Sequence, residues 1–273
     1  MSSQQKIDVE YQRRVDTMAI TGSVALITGA ARGLGRSFAQ ALLARGAKVC
    51  VTDINEEQGK VAETELQAEH GANNVMFVKC DVTKEEDFRN AWSQATETLG
   101  TVGLLINNAG IGNEKNWQLT VDINLGGCMR GTFLALEKMG ADKGGAGGTI
   151  VNVSSIAGLK VVPFGPTYAT TKHAIVGLSR SLGHDFHYAY TKVKVQCLCP
   201  SFVQTDLIVD SKKTAFSPQC AAVLEKIGGT LKYMTAETVS NGLIQLIEES
   251  RNGGCMVVEA DKDPYYVDPP VQS

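Results

Sequence analysis

The chain of 273 residues carries 26 lysines and arginines against 29 aspartates and glutamates, a formal charge of −3, and 43% of its residues are hydrophobic. This composition is typical of a globular protein with one large core. The lack of a basic tract argues against a nucleic-acid partner, and the lack of an apolar run of about 18 residues argues against a membrane span.

The seven cysteines form no C-x-x-C pair, and several of them lie inside apolar runs. This pattern favours reduced, buried thiols in a cytoplasmic protein over a disulfide framework or a zinc site. The histidine pair at residues 184 and 187 has helical spacing, and we interpret it as part of a solvated helix face. We therefore predict no metal site.

Residues 1–21 mix acidic and basic side chains and lack an apolar segment, so we interpret them as an N-terminal extension rather than a targeting peptide. A docking helix is the alternative. No low-complexity linker divides residues 22–260, which predicts a single domain. Residues 261–273 are predicted to be a C-terminal tail that either folds over the site or hangs free.

Seven short apolar runs rich in β-branched residues predict strands that are buried on both faces of a parallel sheet. They span residues 24–28, 48–52, 74–78, 103–106, 149–153, 193–198 and 255–259. Amphipathic segments between them predict helices over residues 36–45, 55–70, 85–99, 168–186 and 236–249. This alternation predicts an α/β fold, a doubly wound Rossmann-type parallel sheet with helices on both faces.

The first predicted strand leads directly into a glycine-rich loop, TGAARGLG at residues 28–35, and a helical segment follows. Gly29, Gly33 and Gly35 allow a tight turn and a close approach of the backbone to a pyrophosphate at the helix N-terminus. Because a strand precedes the loop and a helix follows it, we predict a dinucleotide-binding site here.

The second predicted strand ends at Asp53, where a carboxylate can accept hydrogen bonds from an adenosine ribose and repel a 2′-phosphate. Ile54 follows it, so a second cation is not evident at this position. Arg32 beside the loop is the opposing signal, because a cation there attracts a 2′-phosphate. On balance the sequence predicts NAD rather than NADP as the cofactor.

Over about residues 22–260 the chain resembles the short-chain dehydrogenase/reductase family. The motifs that carry the resemblance occur in this order: TGAARGLG (28–35), Asp53, CDV (80–82), NNAG (107–110), Asn124, Ser155 and YATTK (168–172). The resemblance implies about seven parallel strands flanked by helices, and a homodimer packed through the helices near residues 124–139 and 168–186.

Within the family, four segments resemble the prostaglandin-oxidising branch: NNAGIGNEKNW (107–117), SSIAGL (154–159), KHAIVG (172–177) and GLIQLIEE (242–249). The family resemblance also implies cofactor contacts by side chains in the loop, at the adenine and at the nicotinamide end. Asp81 and Val82 would contact the adenine, Asn108 would line the cofactor cleft, and Val203 and Thr205 would contact the nicotinamide end. The other implied cofactor contacts are Arg32, Leu34, Ile54 and Cys80. The family's Pro-Gly turn reads Pro200-Ser201 here, a departure at the nicotinamide end.

Tyr168 and Lys172 are four residues apart on one predicted helix, so their side chains share a face. A tyrosine hydroxyl has a pKa near 10 in free solution, and a neighbouring ammonium group favours the phenolate. The resemblance implies that Tyr168 is the catalytic base and that Lys172 also binds the nicotinamide ribose. It further implies that Ser155 holds the substrate oxygen and that Asn124 orders a water in a proton relay. Ser154 is the alternative to Ser155.

The predicted reaction is hydride transfer between NAD⁺ and a lipophilic secondary alcohol, of the prostaglandin or hydroxy fatty acid type, giving the ketone. Residues 206–235 are predicted to form the substrate loop because they are rich in apolar side chains. Three positions before the tyrosine, where the prostaglandin branch carries a glutamine, this chain has Gly165. The predicted substrate positions are therefore Ser155, Gly165 and Tyr168. Of these three, Gly165 provides no polar side chain.

Two alternative functions remain open at this point. Because of Gly165, the substrate can be another hydrophobic alcohol, such as a steroid, a terpenoid or a retinoid. Outside the enzyme class, the alternative is a non-catalytic NAD(H)-binding regulatory protein, which predicts cofactor binding without turnover.

Overall fold

A computed structural model describes residues 20–204 and 211–268 of the chain. The predicted N-terminal extension lies outside the described residues except for its last two positions. Thr205, the first part of the predicted substrate loop and residues 269–273 also lie outside them.

Strands and helices alternate from Val24 onward. Strands β1 to β8 are Val24–Thr28, Lys48–Asp53, Val75–Lys79, Val102–Asn107, Gly148–Val153, Val193–Pro200, Cys255–Val258 and Tyr265–Tyr266. The helices, labelled α1 to α9, are Gly33–Leu43, Glu56–His70, Glu85–Leu99, Trp117–Val121, Cys128–Met139, Pro166–Leu182, Asp185–Thr191, Pro218–Gly228 and Ala236–Glu249. A π-helical stretch, Asp122–Gly127, joins α4 to α5.

The strands form one sheet in the order β3-β2-β1-β4-β5-β6-β7-β8. The first seven are parallel, so the predicted doubly wound sheet is confirmed, with strand bounds within two residues of the prediction. The eighth strand pairs antiparallel with β7 through Met256 and Tyr266, within the segment predicted to be a tail. Residues 265–266 therefore extend the sheet.

Helices cover both faces of this sheet. On one face the core includes Phe38 of α1, Leu66 of α2 and Leu243 of α9. On the other face Phe88 of α3 and Leu134 of α5 are buried in a second core. Full burial of an apolar side chain of this size stabilises the fold by about 1.5–3 kcal/mol, so both layers are firmly held.

The helix predicted over residues 168–186 is two helices, α6 and α7, with a break at Gly183. A Cβ on Gly183 would lie 2.4 Å from Gly253 Cα, so the close approach of these two backbones requires glycine. The apolar spacing that extends to Phe186 is misleading, because this side chain is 68% exposed.

Strand β1 lies between β2 and β4, which is where the order of the strands reverses. Ligands of open α/β sheets bind in the crevice at the carboxyl ends of the strands at such a reversal. The glycine-rich loop after β1 and the NNAG turn after β4 flank this crevice. In residues 20–204 and 211–268, none of the helices is long and apolar enough to cross a bilayer.

Candidate active site

The chain turns so tightly from β1 into the first turn of α1 that two positions, one in the loop and one in the helix, require glycine. Gly29 has a φ of 62°, and a Cβ there would lie 2.9 Å from Ala109 Cα. A Cβ on Gly35 would lie 2.3 Å from the carbonyl oxygen of Gly29. Gly33 has a φ of 58° but faces open space. The backbone is therefore bare where α1 begins, which suits a phosphate at the positive end of the helix.

The NNAG turn after β4 holds this loop in place. Asn108 Nδ2 donates hydrogen bonds to the carbonyl oxygens of Thr28 and Gly29, both at 2.9 Å. Thr28 Oγ1 accepts from the backbone N–H groups of Asn108 and Ala109, at 3.0 and 3.1 Å. Thr28 was not assigned a role from the sequence, although its place as the first residue of the loop motif is a usable signal.

Asp53 ends β2 with a carboxylate that is fixed but half exposed. Its Oδ2 accepts from the N–H of Ala31 at 3.1 Å, and its Oδ1 accepts from the N–H of Asn55 at 3.0 Å. Ile54 beside it is 62% exposed, and Arg32 lies at the N-cap of α1. The carboxylate keeps lone pairs for the hydroxyls of a ribose.

The CDV motif follows β3 and packs beside Asp53. The backbone N–H of Cys80 donates to the carbonyl oxygen of Asp53 at 2.9 Å. Burial, together with nearby carboxylates, raises the pKa of the Cys80 thiol to about 12, so this thiol is neutral at physiological pH. Asp81 Oδ1 accepts from the N–H and the hydroxyl of Thr83, at 3.0 and 2.7 Å, and Val82 is 8% exposed. The motif forms a rigid, partly apolar wall at the carboxyl edge of the sheet.

Helix α6 carries Tyr168 and Lys172 toward the same crevice. Lys172 is buried, and its Nζ donates to the carbonyl oxygen of Val153 at 2.8 Å. The same Nζ lies 5.5 Å from the centre of the half-buried Tyr168 ring. The predicted pairing of the two side chains on one helix face is therefore present in the structure, with a positive charge fixed beside a phenol.

Asn124 lies in the π-helical stretch, where its side chain is buried. Its Nδ2 donates to the carbonyl oxygen of Ile111 at 2.9 Å and to Thr171 Oγ1 at 3.2 Å, while its Oδ1 accepts from the N–H of Ile111 at 2.8 Å. A Cβ on Gly110 would lie 3.3 Å from Asn124 Oδ1 and 3.7 Å from Lys172 Nζ. The amide oxygen and the ammonium group thus face the same small space.

The two serines after β5 have different surroundings. Ser154 is buried, and its Oγ donates to the carbonyl oxygen of Lys172 at 2.8 Å. Ser155 is half-buried, and its Oγ accepts from the N–H of Ala157 at 3.1 Å. The Ser155 hydroxyl lies 3.4 Å from the carbonyl oxygen of Pro200, which is a long and weak hydrogen bond. Ser155 can therefore redirect its proton to a ligand at little cost.

Glu114 is part of the site and was not identified from the sequence. It is 6% exposed, and its two carboxylate oxygens accept from the N–H groups of Thr167 and Tyr168, both at 2.9 Å. The segment NNAGIGNEKNW contains this residue, but spacing within a loop does not reveal which helix end the loop will reach.

Val203, Gly165 and the turn at Ser201 are three further positions that the sequence singled out. Val203 is 6% exposed and forms an isolated parallel bridge with Met234. Ser201, in the turn that departs from the family pattern, donates its N–H to the carbonyl oxygen of Val258 at 2.8 Å. Gly165 is buried at the N-cap of α6, one turn from Tyr168.

The chain is similar to known proteins over most of its length. A family profile described as short chain dehydrogenase matches residues 23–215. The 15-hydroxyprostaglandin dehydrogenase (NAD(+)) of Mus musculus is 37% identical over 255 residues, covering 92% of this chain and 95% of that protein. The trans-4-hydroxycyclohexanecarboxylate dehydrogenase of Sinomonas cyclohexanicum is 35% identical over 206 residues, covering 71% and 77%.

Solved structures also match over most of the chain. A short-chain dehydrogenase/reductase from Burkholderia phymatum in complex with NAD has a TM-score of 0.77 and 27% identity, covering 88% of this chain and 90% of that one. Levodione reductase has a TM-score of 0.76 and 25% identity, with coverage of 88% and 96%.

Proposed function

The chain belongs to the short-chain dehydrogenase/reductase family, and from that premise we propose that it oxidises a lipophilic secondary alcohol with NAD⁺. The observation that carries the proposal is the buried ammonium group of Lys172, held 5.5 Å from the Tyr168 ring beside the crevice at the end of β1. A phenol next to a fixed positive charge is suited to take a proton from an alcohol.

The residues around β1 and β2 fit NAD. The open space at Gly33 leaves the backbone at the start of α1 accessible to a pyrophosphate. The fixed carboxylate of Asp53 suits a ribose that carries no 2′-phosphate. The name of the mouse relative specifies NAD(+), and the Burkholderia structure contains NAD. When bound, NAD⁺ supplies the acceptor for the hydride that leaves the carbinol carbon.

In this proposal Tyr168 is the general base. Its hydroxyl oxygen, as the phenolate, takes the proton of the substrate O–H while the carbinol carbon becomes a carbonyl carbon. The Lys172 ammonium stabilises the negative charge of the phenolate and can also bind the nicotinamide ribose. Asn124 Oδ1 has a second lone pair that faces the space shared with Lys172, which suits the ordering of a water.

Ser155 rather than Ser154 is the serine that we propose to bind the substrate oxygen. The hydroxyl of Ser154 is already committed to the carbonyl oxygen of Lys172 in a buried position. The Ser155 hydroxyl donates only a long, weak hydrogen bond to the carbonyl oxygen of Pro200. A substrate oxygen at normal hydrogen-bond distance would be a better acceptor.

For the substrate we propose a hydroxylated fatty acid or prostaglandin. The support is the 37% identity to enzymes named for 15-hydroxyprostaglandin and the apolar composition of residues 206–235. The cyclohexane-type relative, at 35% identity, shows that a similar chain acts on a different alcohol. Gly165 provides no polar side chain at the start of α6 to select a prostaglandin. Steroid, terpenoid and retinoid alcohols are therefore the alternative substrates to be tested.

A substrate panel tests this function. The purified chain is mixed with NAD⁺ or NADP⁺ and with hydroxy fatty acid, prostaglandin, steroid, terpenoid and retinoid alcohols, and reduced cofactor is followed by absorbance. We expect the highest kcat/KM with NAD⁺ and a hydroxylated lipid. Tyr168→Phe is expected to lower kcat by about 10²–10⁴-fold, because the proton acceptor is lost, with NADH affinity unchanged.

Two results would contradict the proposal. Wild-type kcat in Tyr168→Phe would remove the proposed base. NADH binding without turnover of any alcohol in the panel would favour the non-catalytic regulatory function instead.

We also propose that the chain forms a homodimer through α5 and α6. Helix α5 presents two large apolar side chains to solvent, Met129 at 37% and Phe133 at 50% exposure. They line a groove of about 260 Å³ together with Arg89 and Glu137, which are paired at 2.8 Å. Exposed apolar side chains rimmed by charged ones are typical of protein–protein contacts.

A reducing compartment, such as the cytoplasm, is the location that we propose. All seven cysteines lie within the described residues and are free thiols. Six of the seven are buried, and burial raises the pKa of the Cys128 thiol to about 12. Unreactive, buried thiols without disulfide bonds are typical of reducing compartments.

A further inference from the structure

Glu114 supplies the missing cap of helix α6. Pro166 occupies the first position of this helix and has no N–H, so the first donors that need acceptors belong to Thr167 and Tyr168. Gly165 at the N-cap has no side chain to accept them. Glu114, 53 residues before Thr167, accepts one N–H with each carboxylate oxygen at 2.9 Å.

The charge of this carboxylate is balanced by the helix. Within residues 20–204 and 211–268, no lysine or arginine forms an ion pair with Glu114. Two charge-assisted hydrogen bonds and the positive end of α6 stabilise the carboxylate instead. A glutamine could accept only one of the two N–H groups, because its NH₂ group would face the other as a second donor.

The loop that carries Glu114 is tied in turn to the predicted substrate segment. The backbone N–H groups of Glu114 and Lys115 donate to the carbonyl oxygen of Thr214, at 3.1 and 3.2 Å. Thr214 Oγ1 donates to the carbonyl oxygen of Gly112 at 2.9 Å. Glu114 thus links Thr214, in the segment 206–235, to the backbone of Tyr168.

We propose that Glu114 is a positioning residue that sets the placement of the Tyr168 hydroxyl and couples it to Thr214, in the described part of the predicted substrate segment. This inference rests on the dehydrogenase function proposed above. Both donors to its carboxylate are in the first turn of α6, and one is the backbone of the proposed base. A misplacement of about 1 Å at a reacting group lowers a rate by about 10²-fold. The cap therefore acts on turnover and not only on folding.

Glu114→Gln tests this role, with Glu63→Gln as the matched control. Glu63 Oε1 also accepts a backbone N–H, that of Phe77 at 2.8 Å, but on β3 at the edge of the sheet. At a temperature where both variants are fully folded, we expect Glu114→Gln to lower kcat by about 10- to 100-fold with NADH affinity within about twofold of wild type. Glu63→Gln is expected to leave kcat and NADH affinity within about twofold of wild type. Glu114→Asp, which keeps the charge, should recover part of kcat.

A double-mutant cycle with Thr214→Val tests the coupling. Thr214→Val removes the hydrogen bond to Gly112, and we expect its effect on kcat to be smaller in the Glu114→Gln background than in wild type, because both changes act on one chain of contacts. Wild-type kcat in Glu114→Gln, a loss of NADH affinity equal to the loss of kcat, or strict additivity in the cycle would overturn the proposal. Absence of turnover in the wild-type chain would instead reject the dehydrogenase function itself.

Discussion

Lys172 owes its position to contacts both near and far in the chain. Its spacing from Tyr168 and its place on the same helix face could be predicted from the sequence, because i,i+4 neighbours on a helix are fixed by helical geometry. The carbonyl oxygen of Val153, which holds its ammonium group at 2.8 Å, could not, because this contact depends on how β5 packs against α6. Glu114 was missed for the same reason, since its partners are 53 and 54 residues away.

Gly165 provides a prediction at this scale. A Cβ there would lie 3.6 Å from Glu114 Oε1 and 3.8 Å from Val162 Cγ1, which are ordinary contacts, so a side chain is tolerated. Gly165→Gln introduces the amide carried by the prostaglandin-oxidising branch. One added hydrogen bond contributes about 0.5–1.5 kcal/mol, so kcat/KM for a prostaglandin alcohol should rise by roughly two- to tenfold.

Gly165→Ala is the control for this change, because it adds a Cβ without a polar group. Steady-state kinetics with a prostaglandin alcohol and a steroid alcohol measure the effect. An equal gain in Gly165→Ala, or an equal gain for both substrates, would mean that the amide is not the cause.

At the scale of elements, glycines near the ends and joints of helices made the helix bounds hard to predict from the sequence. The periodicity predicts α1 from residue 36, but the helix begins at Gly33, since glycines within the loop motif lower helix propensity. The pattern does not identify a helix over residues 117–139, and only the family resemblance implied one near 124–139. Here DINLGG adopts π-helical geometry, which buries Asn124 between the Ile111 backbone and Thr171.

The glycine-rich loop provides the prediction at this scale. Gly35→Ala places a Cβ within 2.3 Å of the Gly29 carbonyl oxygen and 2.6 Å of Asn108 Nδ2, so the loop must move. Overpacking of this kind destabilises a fold by about 1–3 kcal/mol, and we expect NADH affinity to fall by at least tenfold, roughly 1.4 kcal/mol. Fluorescence titration with NADH and thermal unfolding measure the two effects.

Gly33→Ala is the control for Gly35→Ala, because it changes a glycine of the same motif without creating a clash. Its Cβ would meet open space, so the cost is conformational strain of about 1–2 kcal/mol without a clash. NADH affinity should fall less than in Gly35→Ala. The opposite order would show that backbone conformation, and not packing against Gly29, shapes the loop.

At the scale of the whole molecule, the alternation of strands and helices was sufficient to predict the doubly wound class. All five residues of β1 are buried, as expected for a continuous apolar run in a parallel sheet. Strand β8 could not be predicted, because two residues carry no periodicity and Tyr265 pairs with Val257 only once β7 is in place. The C-terminal segment is also held by Arg180, whose Nη2 donates to the carbonyl oxygen of Val267 at 2.8 Å.

The proposed homodimer is tested at this scale by Phe133→Lys. Phe133 is 50% exposed on α5, and a lysine placed in the apolar centre of an interface leaves a desolvated charge on each protomer. Loss of a central aromatic contact costs about 2 kcal/mol or more, so the dimer dissociation constant should rise by roughly 30-fold or more. Analytical ultracentrifugation over a range of concentrations measures this constant.

Val61→Lys, at a 52% exposed position on α2, is the control and should leave the dimer intact. A wild-type chain that sediments with the mass of one protomer, or equal effects of the two substitutions, would place the interface elsewhere or remove it.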